Sequence, residues 1–227
     1  MTIETANSFK GRLFYLGVSI LINCFFNALT VATNMGSAIW TASAVNLAQA
    51  LNIPLGTTLF LEGVVVALAN LLLLGEFDYF RLGRNLMFII PFSYCLAGFE
   101  HLFVWIGVPN FPLWARFLLD FIGLVGVAQA VSIYQRANLI IHPNDDLPYI
   151  LRFRFMKGSP VWSQWASNVP PILIILICWI ITKKLSVINI GTIINIAFQG
   201  ALIGWGDTHI FPKLHHHLEF KTTKINP

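Results

Sequence analysis

NMGSAIWTASAVNLAQALNIPLGTT, residues Asn34–Thr58, carries no charge, yet Asn34, Gly36, Asn52, Pro54 and Gly56 break it too often for one helix to cross a bilayer. Its middle, Ser37–Leu51, reads as a short helix that stops before the Pro54-Leu55-Gly56 turn. The runs on both sides are long enough to span. The chain is expected to be built around this half-element, with Gly36 and Gly56 at its turns, and around a second one like it.

Working outward, no residue from Leu13 to Leu61 is charged. Of the 227 residues 56% are hydrophobic and 11% charged, with 19 Phe and 7 Trp. A soluble domain carries roughly 25% charged residues, so this chain cannot build a water-facing shell. The length allows about six helices of ~20 residues each. Residues 1–227 therefore read as one transmembrane domain, with half one at 12–107, half two at 113–206 and a tail at 207–227. The net charge is +4, but the basic residues are scattered in the gaps between apolar runs. That pattern indicates membrane topology, not nucleic-acid binding. Cys24, Cys95 and Cys178 lie far apart in apolar runs and read as small core residues, with no disulfide framework and no metal site. Met1–Arg12 and the apolar run after it lack a small-residue exit, so they read as a retained first helix and not a signal peptide.

Six spans follow along the chain. They are Leu13–Val31, with Asn23 and Asn27 on one face; Thr57–Leu74, holding Glu62 and Asn70; Asn85–Ile106, kinked near Pro91; Leu113–Tyr134; Val161–Thr182, bent by Pro170-Pro171; and Ile188–Trp205, opened by Asn189-Ile190-Gly191-Thr192. With the N-terminus in the cytoplasm, Lys10, Arg12, Arg81, Arg84, Arg136, Arg152, Arg154, Lys157, Lys213, Lys221 and Lys224 fall inside, against Arg116, Lys183 and Lys184 outside. The positive-inside rule then places both termini in the cytoplasm.

Ala28–Gly56 overlays Ala130–Gly158 in order, though hardly in identity: a long span, a polar-punctuated gap, a Gly turn and a second span. Halves of three spans each are oppositely oriented. The expected fold is an all-α polytopic membrane protein of about six transmembrane helices in two inverted three-helix repeats, with a short re-entrant or interfacial helix per half. Transporters of this kind hold their site at the repeat interface, beside interrupted helices. Chance self-alignment of spans and loops is the plainer account. The second half-element, Asn138–Gly158, is more charged and is expected to stay at the surface.

Gly36-x-x-x-Trp40, then Ile53-Pro54-Leu55-Gly56-Thr57-Thr58, then Ile188-Asn189-Ile190-Gly191-Thr192 with Gly200 and Gly204, resembles the bacterial YczE/YitT-type integral membrane proteins. The resemblance covers most of residues 12–206. It departs from the family pattern at Asn138, where a glycine is expected, and at the acidic pair Asp145-Asp146 after His142-Pro143. It implies an architecture and a bacterial cytoplasmic membrane, not an activity.

Ionisable groups inside a bilayer cost at least ~2.5 kcal/mol each and usually face a cavity or a partner. Here they are Glu62, Glu100, His101, Arg116 and Asp120, all in the outer halves of their helices, which suggests an outward-opening polar pocket. Arg116 and Asp120 are spaced to pair with each other. Glu100 and His101 lie near a helix end. Glu62 lacks a local partner and either accepts from Arg116 or sits protonated. Asn23, Asn27, Asn34, Asn70, Gln129, Asn195 and Gln199 suit a polar solute, but they suit interhelical hydrogen bonds of about 0.6 kcal/mol equally well. Trp40 reads as an interface anchor first and a stacking platform second. His142-Pro143-Asn144-Asp145-Asp146 matches no calcium loop and reads as solvated. Tyr149–Phe155 reads as lying on the anionic inner leaflet, and His215-His216-His217 as solvated.

The functional expectation is a small-solute permease or exporter in the bacterial inner membrane, with lipid, a small polar solute or coupling ion and a homodimer mate as partners. No nucleic acid, cofactor or enzymatic activity is expected, since no nucleotide loop, nucleophile elbow or zinc motif is present. Candidate solute-binding residues are Glu62, Asn27, Asn34, Gly36, Trp40, Asn70, Glu100, His101, Asp120, Gly191 and Asn195. A cavity reaching mid-membrane beside Gly36 and Gly191 would support a permease, and tight packing of both glycines against other helices would mean abandoning it. The rival is a non-transporting scaffold or accessory protein with a dry core.

Overall fold

The computed structural model describes residues 2–75 and 78–218. Lys221 and Lys224 of the basic count, Glu76 and Phe77 of the second gap, and the last part of the tail lie outside the described residues. The chain is 80% helix, with no strand among the described residues. In order the helices are α1 (Ile3–Asn7), α2 (Phe9–Thr33), α3 (Ile39–Leu51), α4 (Leu55–Leu74), α5 (Tyr79–Ile106), α6 (Leu113–Ala137), α7 (Pro143–Arg154), α8 (Pro160–Ser167), α9 (Val169–Thr182) and α10 (Ile190–His209).

Each boundary has a local chemical cause. Ser8 starts α2 by accepting from the Gly11 N–H, and Asp78 starts α5 by accepting from the Arg81 N–H at 2.9 Å. Helices α2 and α6 are 25 residues each and end on left-handed asparagines, Asn34 at φ 54° and Asn138 at φ 45°. Asparagine tolerates that conformation better than most side-chain-bearing residues. The expected fifth span is divided into α8 and α9 at Asn168, just before Pro170-Pro171, which lack the N–H groups to continue the ladder. Gly56, expected to mark a turn, lies inside the first turn of α4.

Among the described residues four segments are long and apolar enough to cross a membrane: Phe9–Thr33, Gly56–Leu74, Leu113–Ala137 and Pro160–Thr182. Phe60, Leu61, Val65, Leu68 and Leu72 of α4 and Leu173, Ile177, Ile180 and Ile181 of α9 are exposed apolar side chains on these segments, as a lipid-facing surface requires. Helices α3 and α7 have 13 and 12 residues, too short to span alone.

The long helices α2 and α6 pack along each other. Gly123 and Gly126 of α6 permit this closeness: a Cβ at Gly126 would sit 2.2 Å from the Phe26 ring. The short helices are wedged between others, α3 against α4 and α9, and α7 against α4 and α8. At one end of the bundle Asn7 donates to the Lys213 carbonyl at 2.8 Å. Arg12 donates there to Ala137 O and Asn138 O, and Arg154 to Leu74 O. At the opposite end Asn46 and Ser186 exchange two hydrogen bonds of 2.9 and 3.0 Å, and Arg116 donates to Thr33 O.

The structure overturns the surface placement of the second half-element. In α7, Asp146, Tyr149 and Ile150 are fully buried, and Asn144, Leu147 and Phe153 are buried too. The charges are admitted because they are paired inside. Arg81 holds Asp146 in a bidentate contact that Asn85 completes at 2.8 Å. The run expected on the inner leaflet therefore packs in the core, with Phe155 the exposed aromatic. His216 is not solvated either: its ring packs against Tyr149 and Phe153, and Nε2 lies 3.3 Å from Asp207.

Candidate functional site

Both short helices begin at one cavity of about 70 Å³. Ala38, Ile39, Trp40 and Thr41 bring the N-terminus of α3 to its wall, and His142, Asn144 and Asp145 bring the N-terminus of α7. Asn23 and Asn27 of α2, Gln164 of α8, and Asn195 and Gln199 of α10 supply amides, while Leu59, Phe92, Val127 and Val131 supply apolar surface.

The two helix starts differ in chemistry. The N-cap of α3 is Ala38, which has no side chain to accept from the first-turn N–H groups. The N-cap of α7 is His142, whose Nδ1 accepts from the Asn144 N–H at 3.3 Å. Pro143 follows with no N–H to satisfy, and Asp145 and Asp146 occupy the first turn. One end is thus bare and partially positive, and the other is already compensated by its own carboxylates.

A chain of polar contacts fixes the wall. Asn27 donates to Asn23 Oδ1 at 3.3 Å, Asn23 donates to the Tyr134 hydroxyl at 3.4 Å, and Tyr134 donates to Asp145 Oδ2 at 2.5 Å. Across the cavity Asn195 donates to Gln199 Oε1 at 3.0 Å. Three buried polar atoms on lining residues have no hydrogen-bond partner: Asn27 Oδ1, Trp40 Nε1 and Asn144 Oδ1. Burial pushes the Asp145 carboxyl up to about 6, against the Tyr134 hydrogen bond, with Asp146 adding to the rise. Burial alone holds the His142 imidazole down at about 4.

Of the eleven candidates, Asn27, Trp40 and Asn195 line the cavity. Trp40 is buried at 8% exposure, so it is a wall residue and not an interface anchor. The five ionisable groups do not gather into one pocket, and none lines the cavity. Glu62 is buried against the Ser43 hydroxyl, not Arg116. Asp120 accepts from Thr33 at 3.1 Å, and no ion pair joins it to Arg116 among the described residues. Glu100 is half-buried and His101 exposed. Asn34 is an exposed helix cap, and Asn70 donates to Pro143 O at 3.0 Å, holding the start of α7.

Gly36 and Gly191 are tightly packed. A Cβ at Gly36 would sit 2.5 Å from the Thr192 nitrogen, and one at Gly191 would sit 2.2 Å from Asp120 Oδ2. Gly191 N–H donates to Met35 O at 2.9 Å, and Thr192 bridges both backbone groups of Ser37. This end of the bundle is closed, so the permease expected to have its solute path beside the two glycines is abandoned. The cavity lies further along, at the start of α3.

The model of DUF6198, a family of unknown function, matches residues 10–208. The chain belongs to DUF6198. No curated protein and no solved structure matches. Family membership thus covers every helix that lines the cavity and names no ligand for it.

The sequence carried a usable sign of the second half of the site. Pro143 at the first helical position, with Asp145 and Asp146 in the first turn, is a helix-start signal, and it follows Asn138 as Ile39 follows Asn34. The acidic pair made the segment look solvated.

Proposed function

We propose that this protein is a multi-pass membrane protein of a bacterial cytoplasmic membrane that binds a small polar solute in the central cavity and passes it across the bilayer. The observation that carries this reading is the cavity itself: two half-length helices start on it, and three buried polar atoms on its lining have no partner. The order long helix, left-handed Asn, half-helix occurs twice, at α2–α3 and α6–α7. This supports two inverted halves around the cavity, as does the resemblance to the YczE/YitT-type proteins. Interrupted helices meeting at such an interface are where transporters hold their solutes.

A non-transporting scaffold is favoured by one observation, the closed packing of Gly36 and Gly191. Proteoliposome uptake of radiolabelled glycine, glycerol, urea and acetate separates the two. A permease takes up at least one of them. Asn27→Leu then reduces that uptake about tenfold or more, while Glu62→Gln, away from the cavity, leaves it near wild type. Absence of flux for all four from a folded preparation favours the scaffold. Equal flux in Asn27→Leu and the wild type removes the cavity from the mechanism.

A further inference from the structure

The cavity has two chemically unlike ends, and each selects one charge. We propose that its ligand is a small zwitterion, with the carboxylate at the N-terminus of α3 and the ammonium against Asp145 of α7. This rests on the reading above, that the cavity takes a solute.

The carboxylate end follows from what α3 lacks. The first N–H groups of a helix have no partner inside it, and together with the aligned peptide dipoles they present roughly half a positive charge. Ala38 cannot cap them. Ile39, Trp40 and Thr41, whose N–H groups these are, all line the cavity. A second, independent donor stands on the same turn: the Trp40 indole N–H is buried without a partner, and it can only donate. Uncapped N–H groups and an indole donor together suit a carboxylate.

The ammonium end follows from what α7 already has. His142 takes the Asn144 N–H, Pro143 offers none, and two carboxylates sit in the first turn. A second anion there would meet Asp145 and be repelled. Tyr134 engages only Oδ2 of Asp145. Asp145 Oδ1, which Tyr134 does not engage, is the oxygen offered to an N–H₃⁺ group, beside the Asn27 and Asn144 amides of the lining.

Size narrows the class. A water needs about 10–15 Å³ of such space, so 70 Å³ admits on the order of five water-sized groups. That holds a carboxylate, an ammonium and one or two carbons, as in the smallest amino acids.

The test uses the purified full chain in nanodiscs, titrated calorimetrically with glycine, alanine, glycinamide, N-acetylglycine and acetamide. Glycine and alanine are expected to bind. Blocking either charged end, in glycinamide or N-acetylglycine, is expected to weaken binding about tenfold or more. Asp145→Asn, which keeps an acceptor for Tyr134, is expected to weaken glycine without weakening N-acetylglycine. Trp40→Phe is expected to weaken both. Acetamide binding as tightly as glycine, and lost in Asn27→Leu, would overturn the zwitterion while leaving the cavity as a solute site. Failure of all five probes to bind a folded protein would overturn the zwitterion, and uptake of glycerol, urea or acetate would still mark the cavity as a solute site. The ranking of the five probes on the wild type needs no variant, so a variant that fails to fold leaves that arm of the test intact.

Discussion

Tyr134 and Asn23 reach Asp145 through one line of hydrogen bonds, so whatever changes the charge on Asp145 is felt on α2 and α6 as well. The groups around it are few. Tyr134 faces it from α6, and His142 and Asp146 flank it on its own segment. Arg81 of α5 is engaged by Asp146, while α4 and α8 contribute the amides Asn70 and Gln164 in this region. Burial raises the Asp145 carboxyl to about 6, so it is neutral below that pH and charged above it. An ammonium requires the charged form. Glycine binding is therefore expected to rise as pH increases through about 6 and to be lost on acidification, with Asp145→Asn giving a flat profile from pH 5 to 8. Calorimetry at fixed ionic strength checks the sign. At the same scale Gly36 and Gly56 separate sharply, although the sequence presents both as turn glycines. Gly36 has φ +134° with the Thr192 nitrogen in the way of any Cβ, whereas Gly56 has open space around it. Gly36→Ala is expected to destabilise by about 2 kcal/mol or more from strain and overlap. Gly56→Ala is expected to be neutral or stabilising by up to ~1 kcal/mol. Denaturation midpoints in detergent distinguish them.

The short helices are the elements on which reading the sequence both succeeded and failed. Helix α3 was legible because it is apolar and ends at Asn52 and Pro54, so its expected span of Ser37–Leu51 differs from the observed start by two residues. Helix α7 was not, because its charges look like solvent exposure until their partners are known. Arg81 is 65 residues from Asp146 in the chain, and no local pattern pairs them. The same blindness scattered the site: Glu62, Asp120 and Arg116 stand out as charges at membrane depth, yet Glu62 is engaged by Ser43, and Asp120 and Arg116 by Thr33, with Glu62 Oε2 and Arg116 Nε left without a partner. The amides that line the cavity look the same in sequence as interhelical glue. The Arg81–Asp146 contact gives the element its own prediction. Both side chains are buried, so removing Asp146 takes the bidentate carboxylate from Arg81, a loss that costs about 3–5 kcal/mol. Asp146→Ala is expected to lower stability by that amount, and Arg81→Met with Asp146→Leu to recover most of it. Urea or thermal unfolding of the wild type and the two variants in one detergent tests the coupling.

Across the whole molecule the helices sort the basic residues by end. The end where Asn7 meets Lys213 also holds Arg12, which caps the α6 terminus, and Arg154, which caps α4. Arg136 donates there to the carbonyls of Gly206, Asp207, Ile210, Phe211 and Leu214, tying α6 to the end of α10 and the chain after it. Arg152 joins the same cluster through Asp207 at 2.6 Å. The opposite end carries Arg116, which binds Thr33 O, and Lys183 and Lys184, which lie between α9 and the Ser186 contact with Asn46. A charge asymmetry of this kind orients polytopic proteins with the basic end inward. The proposed orientation, with the N-terminus in the cytoplasm, predicts that Lys213 faces the cytoplasm and Lys184 the outside, and both side chains are exposed enough to be reached. Lys184→Cys is expected to react with a membrane-impermeant maleimide in intact cells, and Lys213→Cys only after permeabilisation. The wild type sets the background, since Cys24 and Cys178 are buried and Cys95 is half-buried. The opposite labelling would invert the orientation and put the closed Gly36–Gly191 end on the cytoplasmic side. In that case the cavity would survive as a site, but the side from which it is sealed would be reversed.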